Sequence, residues 1–130
     1  MEEQLISFET AKLAKEKGFN YINVDRYYDL ELNNNLTRSF VSIQNKKCLL
    51  APTQSLLQRW LREIHNIYVE SYHDLTSDGT KIQFYTSWGF LQQKDKNGNR
   101  NVNGWYDEYN DWKTYEEALE IGLQEALKLI

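Results

Sequence analysis

The sequence predicts an α+β fold. We expect one domain over residues 1–130, with an antiparallel or mixed sheet of about four to five strands and helices packed on one of its faces. The expected element order is α-β-β-α-β-β-β-α. Three observations lead there. Two segments carry apolar residues at helical spacing between recognisable start signals and stops or chain end. Residues 81–91 alternate apolar and polar side chains as a half-buried strand does. Short Asn- and Gly-containing turns separate neighbouring strands, which favours antiparallel pairing.

The central helix is the most sharply delimited element. Pro52 biases Ala51 to extended backbone and cannot lie in a helix interior. Thr53 then stands at the N-cap, with its hydroxyl free to accept from the N–H of Ser55 or Leu56. Leu56, Leu57, Trp60, Leu61 and Ile64 fall on one face, and Ser55, Gln58, Arg59 and Arg62 on the other. Asn66 supplies a left-handed stop, and Ile67-Tyr-Val69 begins strand chemistry at once.

The first helix is expected over residues 7–18, capped by Ser7 and ended by Gly18, with Phe19 folding back on its last turn. A strand is expected from about Ile22 to Leu30, a turn at Asn33-Asn-Asn35, a strand from Leu36 to Ile43, and a turn at Asn45-Lys-Lys47. Cys48-Leu-Leu50 reads as a short apolar approach to the central helix. Residues 67–72 and 81–91 should pair as a hairpin about Thr76-Ser-Asp-Gly79. Ile82, Phe84, Trp88 and Phe90 are expected on its core face; Lys81, Gln83, Tyr85 and Ser87 are expected on its solvent face. Residues 92–104, rich in Asn and Gly, read as a flexible polar loop with Asn97-Gly98 as its turn centre. Trp105 to Tyr109 returns as a strand or an extended aromatic segment. Thr114-Tyr-Glu-Glu117 is a capping box opening the last helix. Tyr115, Ala118, Leu119, Gly122, Leu123, Ala126, Leu127 and Ile130 line that helix's apolar stripe. A glycine at the centre of the stripe costs roughly 1 kcal/mol against alanine. Close approach of another backbone at Gly122 is therefore expected.

Composition narrows the function classes. A hydrophobic fraction of 41% suits a chain with a core of its own. The single Cys48 cannot form an intramolecular disulfide, so a reduced, cytoplasmic setting is expected. Met-Glu-Glu-Gln at the start resembles no secretory or transit signal, and no apolar run approaches the ~20 residues of a membrane span. There is no P-loop, dinucleotide fingerprint, nucleophile elbow or metalloprotease motif. His65, His73, Asp74 and Asp78 share no metal-ligand spacing, and Cys48 has no partner motif for nucleophilic catalysis. Glu116 and Glu117 are explained by helix capping. No cofactor, metal or catalytic residue is assigned, and an enzyme or small-ligand binder ranks last among the readings.

Charge is segregated along the chain. No acidic residue lies between Glu31 and Glu63, where Arg38, Lys46, Lys47, Arg59 and Arg62 occur. The segment from Trp105 to Glu125 holds Asp107, Glu108, Asp111, Glu116, Glu117, Glu120 and Glu125 against Lys113 alone. The plainest explanation is an internally complementary surface. A second is self-association, with the basic face of one copy on the acidic face of another. A third is an anionic partner such as nucleic acid on Arg38, Lys46, Lys47, Arg59 and Arg62. A net charge of −4 weighs against it. Arg59 and Glu63 at i,i+4 spacing also read simply as a surface pair. Trp105, Tyr106 and Trp112, with Ile121 on the polar side of the last helix, are the candidate self-association surface.

Residues 7–18, 51–63 and 114–130 together resemble a family of small uncharacterised proteins of Bacteroides-type gut bacteria and their phages. The likeness covers the three helices, about a third of the chain. It implies a cytoplasmic, phage-linked accessory protein and transfers no activity. The expected function is a non-catalytic interaction module, a homodimer by preference, with no membrane association.

Overall fold

The computed structural model describes residues 3–21, 24–30, 35–38, 48–90, 97, 105–110 and 112–130. The α+β class holds: among the described residues, three helices accompany two three-stranded antiparallel sheets. The elements are α1 (Phe8–Glu16), β1 (Arg26–Asp29), β2 (Asn35–Arg38), β3 (Cys48–Leu50), α2 (Gln54–His65), β4 (Ile67–Leu75), β5 (Ile82–Phe90), β6 (Trp105–Tyr109) and α3 (Tyr115–Leu127). Cys48-Leu-Leu50 forms a strand of its own, so the order gains one β element. The strands divide into β2-β1-β3 and β4-β5-β6 where a single sheet was expected. The segment 39–47, the turn at 45–47 and most of the 92–104 loop lie outside the described residues.

Local chemistry sets the helix ends. Ser7 accepts from Thr10 N at 3.3 Å, Thr53 from Leu56 N at 3.2 Å, and Thr114 from Glu117 N at 3.1 Å. Glu117 reaches back one residue further than a standard capping box, accepting from Lys113 N at 2.9 Å. Asn66 ends α2 at φ 55°, and its N–H returns to Leu61 O. Gly18 adopts φ 87°, which lets Phe19 N–H reach Ala14 O at 2.9 Å and turns the Phe19 ring onto Trp60. The N-terminal segment crosses the start of α2: Ile6 N donates to Pro52 O, and Gln54 N donates to Gln4 O.

The core lies between α3, α2, α1 and the β4-β5-β6 sheet. Ile6, Leu57, Leu61, Ile67, Leu123 and Leu127 are fully buried there, with Trp60 nearly so. Trp60 and Leu57 therefore face inward, as the α2 pattern requires. Ile64, expected on that buried face, is 60% exposed at the α2 end.

The turn at Thr76-Ser-Asp-Gly79 fixes the β4–β5 register. Gly79 takes φ 72°, and its N–H donates to Thr76 O at 2.8 Å. Thr76 and Thr80 hydroxyls both donate to Asp78. These bonds hold the Asp78 carboxyl down to about 2. With the turn set, Ser71 opposes Thr86, Tyr72 opposes Tyr85, and Leu75 opposes Ile82.

Alternation then sends Val69, Ser71, Thr86 and Trp88 to one face of the sheet. Helix α3 packs there. Ser71 Oγ donates to Tyr115 O at 3.0 Å, and Gly122 sits over Thr86 and Val69. The close approach at Gly122 comes from side chains of the sheet. The three atoms nearest an added methyl there all belong to the Thr86 and Val69 side chains. Coverage by α3 is centred on Thr86, so Phe90 and Ile82, expected in the core, are exposed, Ile82 to 63%. The solvent-face position Ser87 is buried, with its hydroxyl donating to Asp107 Oδ1.

Candidate functional site

The face of the β4-β5-β6 sheet turned away from α3 carries an ordered row of aromatic rings. Tyr72 opposes Tyr85 across β4–β5, and Tyr85 opposes Tyr109 across β5–β6. The rings stack: Tyr72 on Tyr85 at 5.1 Å and 23°, and Tyr85 on Tyr109 at 4.6 Å and 21°. Directly opposed aromatic pairs of this kind are a common way to tie strands together. This row is also accessible. Tyr72 is 37% exposed and Tyr109 59% exposed, while Tyr85 between them is half-buried.

Carboxylates frame the row. Along β4, Glu70 and Asp74 are the neighbours of Tyr72 on its own face; along β6, Asp107 is the neighbour of Tyr109. Asp74 Oδ1 accepts from Leu75 N at 2.8 Å, and Asp107 Oδ1 accepts from Ser87. The local field is negative. Partial burial comes first, followed by Tyr109 and the Asp74 and Asp107 carboxylates, in holding the Tyr85 hydroxyl above the ordinary phenol range. Tyr115, where α3 begins, is raised chiefly by burial and then by Glu70 and Glu116.

The five cations singled out in the sequence are only partly placed. Arg59 and Arg62 lie one turn apart on the outer side of α2. Arg59 Nε donates to Glu63 Oε1 at 2.9 Å, the pair expected from the spacing. Tyr21 OH donates to the other oxygen of Glu63. The Arg59 bond first, and the Tyr21 bond second, hold the Glu63 carboxyl below its usual range. Arg38 ends β2 opposite Arg26, but its side chain lies outside the described residues, as do Lys46 and Lys47. Of the proposed self-association residues, Tyr106 stacks on Trp88 at 5.8 Å on the α3 side of the sheet. Trp112 and Ile121 are half-buried. The Trp105 side chain lies outside the described residues, though its backbone pairs with Gly89.

A polar cleft lies elsewhere, between residues 3–7 and the starts of α2 and α3. Two adjoining hollows of about 350 and 310 Å³ share Gln4, Gln54 and Glu116 in their walls. Its principal groups hold the helices together. Glu120 Oε1 accepts from Ser7 N and from Thr10 Oγ1, and Glu120 Oε2 accepts from Gln54 Nε2 at 3.0 Å. Gln54 Nε2 also donates to Glu116 O, and Gln124 Nε2 donates to Thr10 Oγ1. His65 packs edge-on against Trp60, and His73 lies beside Phe84. Among the described residues no three His, Cys, Asp or Glu side chains gather to hold a metal. No described helix is long and apolar enough to cross a membrane.

The tyrosine row was not anticipated from the sequence. Its signal was nevertheless present: a hairpin closed at Thr76 and Lys81 places Tyr72 opposite Tyr85. Asn97, the first residue of the predicted Asn97-Gly98 turn centre, lies midway in sequence between the partners Gly89 and Trp105. That symmetry brings Tyr109 opposite Tyr85. No protein-family model matches the chain, and no curated protein or solved structure matches it either.

Proposed function

We propose that the chain is a non-catalytic protein-interaction module whose contact surface is the tyrosine-bearing face of β4-β5-β6. The observation that carries this reading is the stacked, solvent-accessible row Tyr72–Tyr85–Tyr109 on the face opposite α3. Tyrosine is enriched in the buried centres of protein interfaces, where its ring contributes area at a small entropic cost. Self-association is the particular form we favour. The acidic tyrosine face of one copy would meet Arg59 and Arg62 on α2 of another, both exposed at the surface. A cytoplasmic, phage-linked accessory setting, as the resemblance of residues 7–18, 51–63 and 114–130 implies, is part of the same proposal.

The test is recovery of associated proteins on the tagged chain, compared with a Tyr72→Ser/Tyr109→Ser variant. A differently tagged second copy is co-expressed in both arms. We expect a protein, the second copy by preference, to be enriched on the wild type and reduced at least fivefold on the variant. Identical recovery on a folded variant would remove this face from the proposal.

A further inference from the structure

We propose that the tyrosine face recognises arginine side chains: its occupant is a basic protein segment carrying at least two arginines. The proposal rests on the reading that this face is a contact surface, and adds the chemistry of what it contacts.

The ring geometry supplies two equivalent positions. In a three-ring stack the central ring, Tyr85, has a neighbour on each side. Tyr72 and Tyr109 each keep one outward π-face, at opposite edges of the sheet. A π-face attracts a cation, and the planar guanidinium both stacks on a ring and forks to a carboxylate. Each outer ring has a carboxylate beside it on the same face. Glu70 and Asp74 flank Tyr72 along β4, and Asp107 precedes Tyr109 along β6. In Asp74 and Asp107, Oδ1 accepts a hydrogen bond from the chain itself, which fixes the carboxylate and leaves Oδ2 for a ligand.

Charge selects the class of partner. The described strand positions on this face are Tyr68, Glu70, Tyr72 and Asp74, then Gln83, Tyr85, Ser87 and Gly89, then Asp107 and Tyr109. They include three carboxylates and no lysine or arginine. Such a face repels the phosphates of nucleic acid even though its rings could stack on bases. Like charge also disfavours the pairing of two identical faces through the row. A cationic segment is left as the complement.

The test is a titration of the isotope-labelled full chain, followed by amide NMR. The probe is an acetylated, amidated Arg-Gly-Gly-Arg peptide at low salt. Its control is the same peptide with citrulline, the neutral near-isostere, in place of both arginines. We expect saturable shifts confined to residues 70–74, 83–87 and 107–109 with the arginine peptide, and binding at least tenfold weaker with citrulline. Replacing Tyr109 with Ser should weaken the arginine peptide about fivefold, the loss of one exposed cation–π contact. Asp74→Asn/Asp107→Asn, which leaves the rings in place, should weaken it similarly and flatten its salt dependence. Equal binding of both peptides on this face overturns arginine recognition while the contact-surface reading stands. No shift on this face at millimolar peptide, or shifts elsewhere only, overturns the proposal outright. The recovery experiment then decides the contact surface by itself.

Discussion

Gly122→Ala lowers the stability of the chain by about 2–4 kcal/mol, although alanine is the better helix former by roughly 1 kcal/mol. The added methyl would lie 2.0 Å from Thr86 Oγ1 and 2.9 Å from Val69 Cγ1. Neither neighbour can swing aside. Thr86 is fully buried and its hydroxyl donates to Glu70 O at 3.0 Å, while Val69 is held between β5 and the helix. Helix α3 must therefore lift from the sheet, and the packing around Leu119 and Leu123 opens with it. Denaturant unfolding measures the loss. A double-mutant cycle locates it: Thr86→Ala removes the closest atom, so Gly122→Ala should cost at least 1 kcal/mol less in that background. Unchanged stability on Gly122→Ala would mean that α3 does not sit where it is described.

Glu120→Ala is the second large effect, about 2–4 kcal/mol. One half-buried carboxylate accepts from Ser7 N, Thr10 Oγ1 and Gln54 Nε2, and so joins α1, α2 and α3. Thr10 is fully buried and Gln54 is 4% exposed. Truncation leaves these donors without their charged acceptor, and each buried unsatisfied group costs about 1–3 kcal/mol. Glu120→Gln keeps the shape and one acceptor oxygen, so it should recover roughly half of the loss. Thermal unfolding of the three proteins separates these values. Equal melting temperatures for Glu120→Ala and the wild type would show that the bonds across the helix starts add nothing.

The parts of this fold that local chemistry dictates were legible in the sequence. Thr53, Asn66, Ser7, Gly18 and Thr114 act within a turn of their own positions, and each cap stands where the sequence puts it. The α3 stripe was equally plain, because Ala118, Leu119, Gly122, Leu123, Ala126 and Leu127 repeat over nearly three turns and are buried, although Tyr115, counted in the same stripe, is exposed. What the sequence hid depends on distant partners. Three residues at Cys48–Leu50 are too few to show a period, and their strand exists because β1 pairs with them. The division into two sheets is likewise a matter of long-range pairing. Ile64 and Ile82 follow an apolar pattern but lie beyond the reach of the elements that would cover them. The tyrosine row required both registers together, and residues picked for their own character, such as Trp112 and Ile121, could not reveal it.

The most direct measurement is the set of nuclear Overhauser contacts made by α3. The described packing requires contacts from Gly122 Hα to the methyl groups of Thr86 and Val69, with none from α3 to the rings of Tyr72, Tyr85 or Tyr109. Contacts between Ala118 or Gly122 and the Tyr85 ring would put the helix on the tyrosine face. That result would close the surface on which the proposed function depends.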